Sequence, residues 1–200
     1  MSHAYPQVYL ARHGETAWSI SGQHTGLTDL PLTEQGERNA RQLGGRLEGL
    51  RFAAVFTSPL QRAHHTCELA GLGDVAQIDH DLVEWNYGNY EGLTTKEIRL
   101  LDPLWDIYRD GCPGGESVAE IVARAHRVVE KCRSIQGDVI LFSSGHFLRV
   151  LATAWLDVDV TQARCFFLGT AALSVLGYDH AMDDPVVRLW NECPGMASTP

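Results

Sequence analysis

Val139-Ile140-Leu141-Phe142 runs four residues without a polar break. A strand with one wet face alternates apolar and polar residues, so an unbroken run reads as a strand covered on both faces. Gln7–Ala11 and Ala53–Thr57 read the same way, and Val75–Ile78 as a shorter strand. Helical stretches lie between them. Thr33 can cap a helix reaching about Leu50, with Ala40, Leu43 and Leu47 on one face. Ser58-Pro59-Leu60-Gln61 offers an N-cap serine, a proline suited to the first helical position and a capping-box glutamine, which predicts a helix to about Ala70. Amphipathic pieces follow at 94–101 and 103–109. Ser117 with Glu120 forms another capping box, ahead of the stripe Val118, Ile121, Val122, Ala125, Val129 and Cys132. A helix is expected from Gly145 to Leu156, then strands at Ala172–Tyr178 and Val186–Trp190 joined by a polar turn. Alternating strands and helices predict an α/β fold, a three-layer α/β/α sandwich with a mostly parallel central sheet. At 200 residues the chain reads as a single domain over 1–200, with a lid-like segment at about 85–115.

In such sheets ligands bind beyond the carboxyl ends of the strands. That rule gathers three strand exits: Arg12-His13-Gly14, Thr57-Ser58-Pro59 with Arg62, and Ser144-Gly145-His146. Residues 14–32 read as a long loop, and long loops inside compact domains are often functional. Two arginines suit a doubly charged phosphoryl group, each able to bind it bidentately. The helix starts at Ser58 and Gly145 would add N–H donors and a favourable dipole. A neutral His13 could attack phosphorus, and Glu84, between Val83 and Trp85, could protonate the leaving oxygen. Plainer readings stand beside these. The Arg12-His13 pair fits a surface turn, Arg62 a surface ion pair, and Glu84 a solvated glutamate. Trp85, Trp105 and Tyr108 fit ordinary core packing.

Composition narrows the partners. A net charge of −9 argues against a nucleic-acid or acidic-membrane binder, while a few converging cations still suffice for a small anion. No stretch approaches the ~18 consecutive apolar residues of a membrane span. Met1–Pro6 lacks the basic-then-apolar pattern of a secretory leader, so the expected location is cytoplasmic. Five scattered cysteines, none in a CxxC pair, predict neither a disulfide framework nor a zinc site. The scheme requires no metal and no cofactor. His64 and His65 are adjacent on a helix and point in different directions. Between a monomer and a homo-oligomer the sequence does not choose.

Leu10-Ala11-Arg12-His13-Gly14-Glu15-Thr16 resembles the signature of the histidine phosphatase superfamily, which includes the cofactor-dependent phosphoglycerate mutases. Thr25–Thr33 resembles the family's second loop, Thr57–Ala63 its second arginine motif, and Glu84 with Tyr87–Gly92 its acid/base segment. The resemblance implies a phosphoglycerate mutase-like fold and a phosphorylated nucleophile at His13. It also implies an acid, then base, at Glu84, with Arg12 and Arg62 as the phosphate holders.

Two departures matter. The family usually places its second catalytic histidine directly before a glycine, where this chain has Ser144; His146 follows two residues later. Either His146 supplies the missing donor, or Ser144 occupies the slot and turnover is weak or absent. Mutases of the family also carry a longer insertion after the acid/base segment, and Ser19 stands where they commonly have asparagine. A shorter lid leaves a phosphohistidine open to water, so hydrolysis of small phosphomonoesters is expected over the mutase alternative. Trp105–Gly111 and Gly145–Arg149 resemble the sedoheptulose-bisphosphatase-like branch, which points to sugar phosphates. Candidate substrate contacts are Arg12, Arg62, Ser19, Gln23, His24, Thr25, Gly26, Ser144, His146 and Phe147. Tyr87, Lys96, Arg99 and Arg109 fall in the lid region.

Overall fold

A computed structural model of the protein describes residues 5–193. Residues 1–4 of the stretch read for a secretory leader lie outside the described residues, as do 194–200. In chain order the main elements are β1 (Val8–Arg12), α1 (Ala17–Ser21), α2 (Glu34–Leu47), β2 (Ala54–Thr57), α3 (Gln61–Leu69) and β3 (Ala76–Ile78). They continue with α4 (Thr95–Leu101), α5 (Ile107–Asp110), α6 (Val118–Ser134), β4 (Val139–Ser143), α7 (Gly145–Leu156), β5 (Leu173–Tyr178) and β6 (Pro185–Glu192).

The six strands form one sheet in the order β3-β2-β4-β1-β5-β6. The first four run parallel, while β5 is antiparallel to β1 and β6 to β5. The apolar runs explain why the sheet lies in the middle. Val8, Leu10, Val139 and Leu141 face a core shared with Ile121, Val128, Leu148 and Leu151 of α6 and α7. Their neighbours Tyr9, Ala11, Ile140 and Phe142 face a second core with Leu43 and Leu47 of α2 and Cys67 of α3. Alternate residues of one strand point to opposite faces, so an unbroken apolar run supplies both cores. Each fully buried Leu, Ile or Val contributes roughly 1.5–3 kcal/mol.

The carboxyl ends needed for a site are adjacent. Arg12 of β1 pairs with Ser143 of β4, and Thr57 of β2 pairs with Phe142. Glycine holds the turn after β1 against α2. A Cβ at Gly14 would lie 2.5 Å from the Gly36 carbonyl oxygen, and one at Gly36 would lie 2.2 Å from that of Glu15.

Several helix boundaries differ from the expectation. The Ser58 capping box does not form. Ser58 precedes a proline, which disfavours helical backbone, and Leu60 is still extended. The Gln61 backbone N–H donates to Asp29 Oδ1 at 2.8 Å and its side-chain amide to the Asp29 carbonyl at 2.7 Å. The helix therefore starts at Gln61, with Arg62 still in its first turn. Helix α2 stops at Leu47 rather than Leu50. The piece expected at 103–109 is helical only over Ile107–Asp110, where the Asp106 side chain caps the start by accepting from the Tyr108 N–H; α4 stops at Leu101, with Asp102 before Pro103 as its cap. The long loop contains the short helix α1, capped by Thr16 with Ser19 as its reciprocal partner.

Candidate active site

His13 leaves β1 at the sheet edge, buried, with its backbone N–H on the Ser143 carbonyl at 2.9 Å. Its ring is oriented by one bond: Nδ1 lies 2.7 Å from the Gly14 carbonyl oxygen. A carbonyl only accepts, so Nδ1 carries the hydrogen and Nε2 keeps the lone pair. Burial, and then the charges of Arg62 and Arg12, hold the imidazole well below its usual range. The ring is thus neutral, the form a nucleophile needs.

Arg12 donates through Nη1 to the Leu168 carbonyl. A Cβ at residue 145 would stand 3.2 Å from its Cζ and Nε, so Gly145 lets the guanidinium lie against the start of α7. Arg62 is fully buried. It donates to the carbonyls of Thr28 at 2.9 Å, Thr25 at 3.1 Å and Gly26 at 2.7 Å. Burial lowers both guanidinium values, opposed by Glu84. Arg12 Nε, Arg62 Nε and Ser144 Oγ are all buried without a partner.

Glu84 sits across from His13 and is also buried. Its Oε1 accepts from the backbone N–H of Trp85 at 2.9 Å and Phe147 at 2.8 Å, and Oε2 from that of His146 at 2.9 Å. Several of the N–H donors expected for a ligand are thus occupied: those of His146 and Phe147 hold Glu84 and that of Gln61 is on Asp29, while Gly145, the first residue of α7, lines the cavity.

A cavity of about 180 Å³ opens here. It brings together Arg12, His13, Ser19, Gln23, His24, Thr25, Glu84 and His146 from the expected set. Other candidates lie behind its wall. Phe147 is core, with the Arg124 guanidinium 4.4 Å from its ring centroid. Gly26 is packed so closely that a Cβ would lie 2.6 Å from the Trp85 carbonyl oxygen. Arg62 and Ser144 are buried beneath the site rather than lining the cavity. Ser19 closes the α1 cap through its hydroxyl, and Gln23 donates to the Gly92 carbonyl at 2.8 Å. Trp85, Trp105 and Tyr108 pack in the core, while Lys96, Arg99 and Arg109 are exposed away from the cavity. Trp18, Gly22, Arg149 and Leu168 line the cavity and were not anticipated as contacts. Arg149 had a signal: it lies three residues after His146 on one helix, hence on the same face.

His146 Nδ1 and the Tyr87 hydroxyl share a hydrogen bond of 2.5 Å. Burial raises the Tyr87 hydroxyl and lowers the His146 imidazole, so both are neutral. Burial likewise lowers His24 to about 4, against the pull of Glu91. These three histidines make stability acid-sensitive. An unfolded chain binds protons on them near pH 6.5, whereas the folded one binds them only at lower pH. Stability is therefore expected to fall as pH drops from about 6.5 toward 4. Melting curves across that window check this; a flat melting temperature would contradict it.

Among the described residues no group of three or more His, Cys, Asp or Glu side chains is gathered to hold a metal ion. None of the described helices is long and apolar enough to cross a membrane.

The comparisons with known proteins agree with this geometry. The family model "Histidine phosphatase superfamily (branch 1)" matches residues 8–193. An acid phosphatase of Mycobacterium tuberculosis is 41% identical over 181 residues, covering 88% of each chain. The sedoheptulose 1,7-bisphosphatase of Saccharomyces cerevisiae is 37% identical over 249 aligned positions, covering 92% of each. A solved structure of an open reading frame from Mycobacterium tuberculosis superimposes with a TM-score of 0.89 at 37% identity, covering 94% of this chain and 98% of that one. With that match along nearly all of the chain, and the Arg12-His13-Gly14 edge built as the motif requires, this protein belongs to the histidine phosphatase superfamily.

Proposed function

We propose that this phosphoric monoester hydrolase cleaves small phosphomonoesters, with sugar phosphates as the first class to test, through a phosphohistidine on His13. One observation carries the reading. A neutral histidine with its lone pair on Nε2 stands in a cavity with Glu84, beside half-buried Arg12 and fully buried Arg62, whose buried Nε groups lack partners. Unpartnered cationic donors at a buried edge suit an incoming dianion.

His13 Nε2 bonds to phosphorus while the ester oxygen departs, taking a proton from Glu84. Water then attacks phosphorus, gives its proton to Glu84, and the P–N bond returns its electrons to His13. Arg12 lies at the cavity and Arg62 beneath it. Together they stabilise charge on the equatorial oxygens. His146, held neutral by burial, offers its ring without the charge of an imidazolium. Ser144 offers only a hydroxyl, which favours slow turnover as the second reading.

The reading extends to the organisation of the chain. It takes one catalytic domain with a lid-like segment at about 85–115, of which Tyr87 lines the cavity, and a cytoplasmic location. The buried Cys67, Cys112 and Cys132 thiols, each pushed up to about 12 by burial, suit a reducing compartment as inert core residues.

A panel of phosphorylated metabolites assayed in EDTA tests it. Phosphate release is expected to persist, and isomerisation of a phosphoglycerate faster than its hydrolysis would instead establish a mutase. Ligand binding with no turnover on any substrate would establish a binding protein. Glu84→Gln keeps the shape and removes the proton. It is expected to slow alkyl phosphates on the order of 10²- to 10³-fold, read from single-turnover phosphate release.

A further inference from the structure

Behind Glu84 stands a largely buried ion pair that does not line the His13 cavity. Arg124, on α6, donates through Nε and Nη2 to the two carboxylate oxygens of Glu116, at 2.9 and 2.7 Å. The same guanidinium donates through Nη1 to the carbonyls of Asp81 at 2.8 Å and Val83 at 2.6 Å. Nη2 also reaches the carbonyl of Glu84 itself at 3.4 Å. Its other face lies 4.4 Å from the ring centroid of Phe147. The backbone N–H of that phenylalanine donates to Glu84 Oε1. One side chain thus holds the backbone that carries Glu84 and packs on the residue that holds its carboxylate.

Glu116 closes the clamp from the other end. Its carbonyl accepts from Trp85 Nε1 at 2.8 Å, its N–H donates to the Asn86 carbonyl at 2.9 Å, and its Oε2 accepts from the Asn86 N–H at 3.4 Å. The strap fits closely: a Cβ at Gly115 would stand 2.2 Å from the Asn86 carbonyl oxygen. Burying a charge pair is a poor way to gain stability, since apolar replacements of similar volume are often neutral or better. Its value here lies in location. Proton transfer needs the carboxyl group within hydrogen-bond reach of the departing oxygen, and a displacement of about 1 Å costs on the order of 100-fold.

We propose that the Arg124–Glu116 pair is a positioning device for proton transfer by Glu84, setting where its carboxyl group meets the ester oxygen. This rests on the reading of Glu84 as the acid.

The test compares two esters in single-turnover phosphorylation of His13, followed by rapid acid-free quench. Glycerol phosphate needs a proton on its leaving oxygen; 2,4-dinitrophenyl phosphate departs without one. Arg124→Gln and Glu116→Gln are each expected to slow the glycerol ester on the order of 100-fold and the dinitrophenyl ester by less than about threefold. Arg124→Lys, which keeps charge without the fork, is expected to recover part of the loss on the glycerol ester. Equal losses on both esters, as from a merely structural role, would overturn the proposal, and so would no loss on either. If Arg124→Gln fails to fold, Glu116→Gln makes the same comparison. Glu84→Gln in parallel separates the two readings. If it slows both esters equally, the assignment of Glu84 fails and this proposal with it. If it alone is selective, only the positioning role fails.

Discussion

His13→Ala is expected to reduce phosphate release on the order of 10⁴-fold or more, because it removes the atom that bonds to phosphorus. That corresponds to about 5 kcal/mol of transition-state stabilisation. The fold should tolerate the change. The side chain makes one hydrogen bond, to the neighbouring Gly14 carbonyl, and its backbone N–H stays on Ser143. Rapid quench with a radiolabelled phosphoester should show an acid-labile phosphoprotein in the wild type and none in the variant. Hydrolysis that survives the substitution at a comparable rate would sink the phosphohistidine mechanism. His13→Asn, which also lacks an attacking nitrogen, should behave alike.

Arg62→Ala is expected to damage both stability and rate. The buried guanidinium ties together the carbonyls of Thr25, Gly26 and Thr28. Removing it leaves those acceptors without their charged donor and opens a cavity. Stability should fall by about 3 kcal/mol or more. At roughly 2–4 °C per kcal/mol for a chain of this size, the melting point should fall by about 6–12 °C. Phosphate release should fall at least 100-fold from the lost positive charge and the loosened loop. Arg62→Lys should restore part of the rate and little of the stability, because one ammonium cannot serve three carbonyls in a fixed fork. A variant with wild-type melting and wild-type rate would show that neither role is real.

Much of the fold is legible in short stretches. The unbroken apolar runs imply strands covered on both faces, and the alternation of Val8 and Leu10 with Tyr9 and Ala11 delivers two cores. The caps at Thr33 and Ser117 mark helix starts because a hydroxyl carried on Cβ reaches the N3 amide by local geometry alone. Ser58 has the same local signature and fails, since Asp29 captures the Gln61 donors from 32 residues away. A distant competitor leaves no trace in the spacing of the capping box.

The site divides along the same line. That Arg12, His13 and Glu84 belong together follows from strand exits and from the family motifs those residues carry. Which of their partners remain available for a ligand does not. The N–H groups of His146 and Phe147 look free in the sequence and are bound to Glu84. Arg62 looks like a phosphate clamp and has most of its donors on loop carbonyls, leaving Nε. Leu168 joins the cavity with no sequence signal at all, brought there by the chain returning to Arg12. Residue type and local spacing decide what groups a strand can deliver. Competition for hydrogen bonds among residues far apart in the chain decides which of those groups are left over, and that competition exists only once the sheet, the loop and the helices have come together.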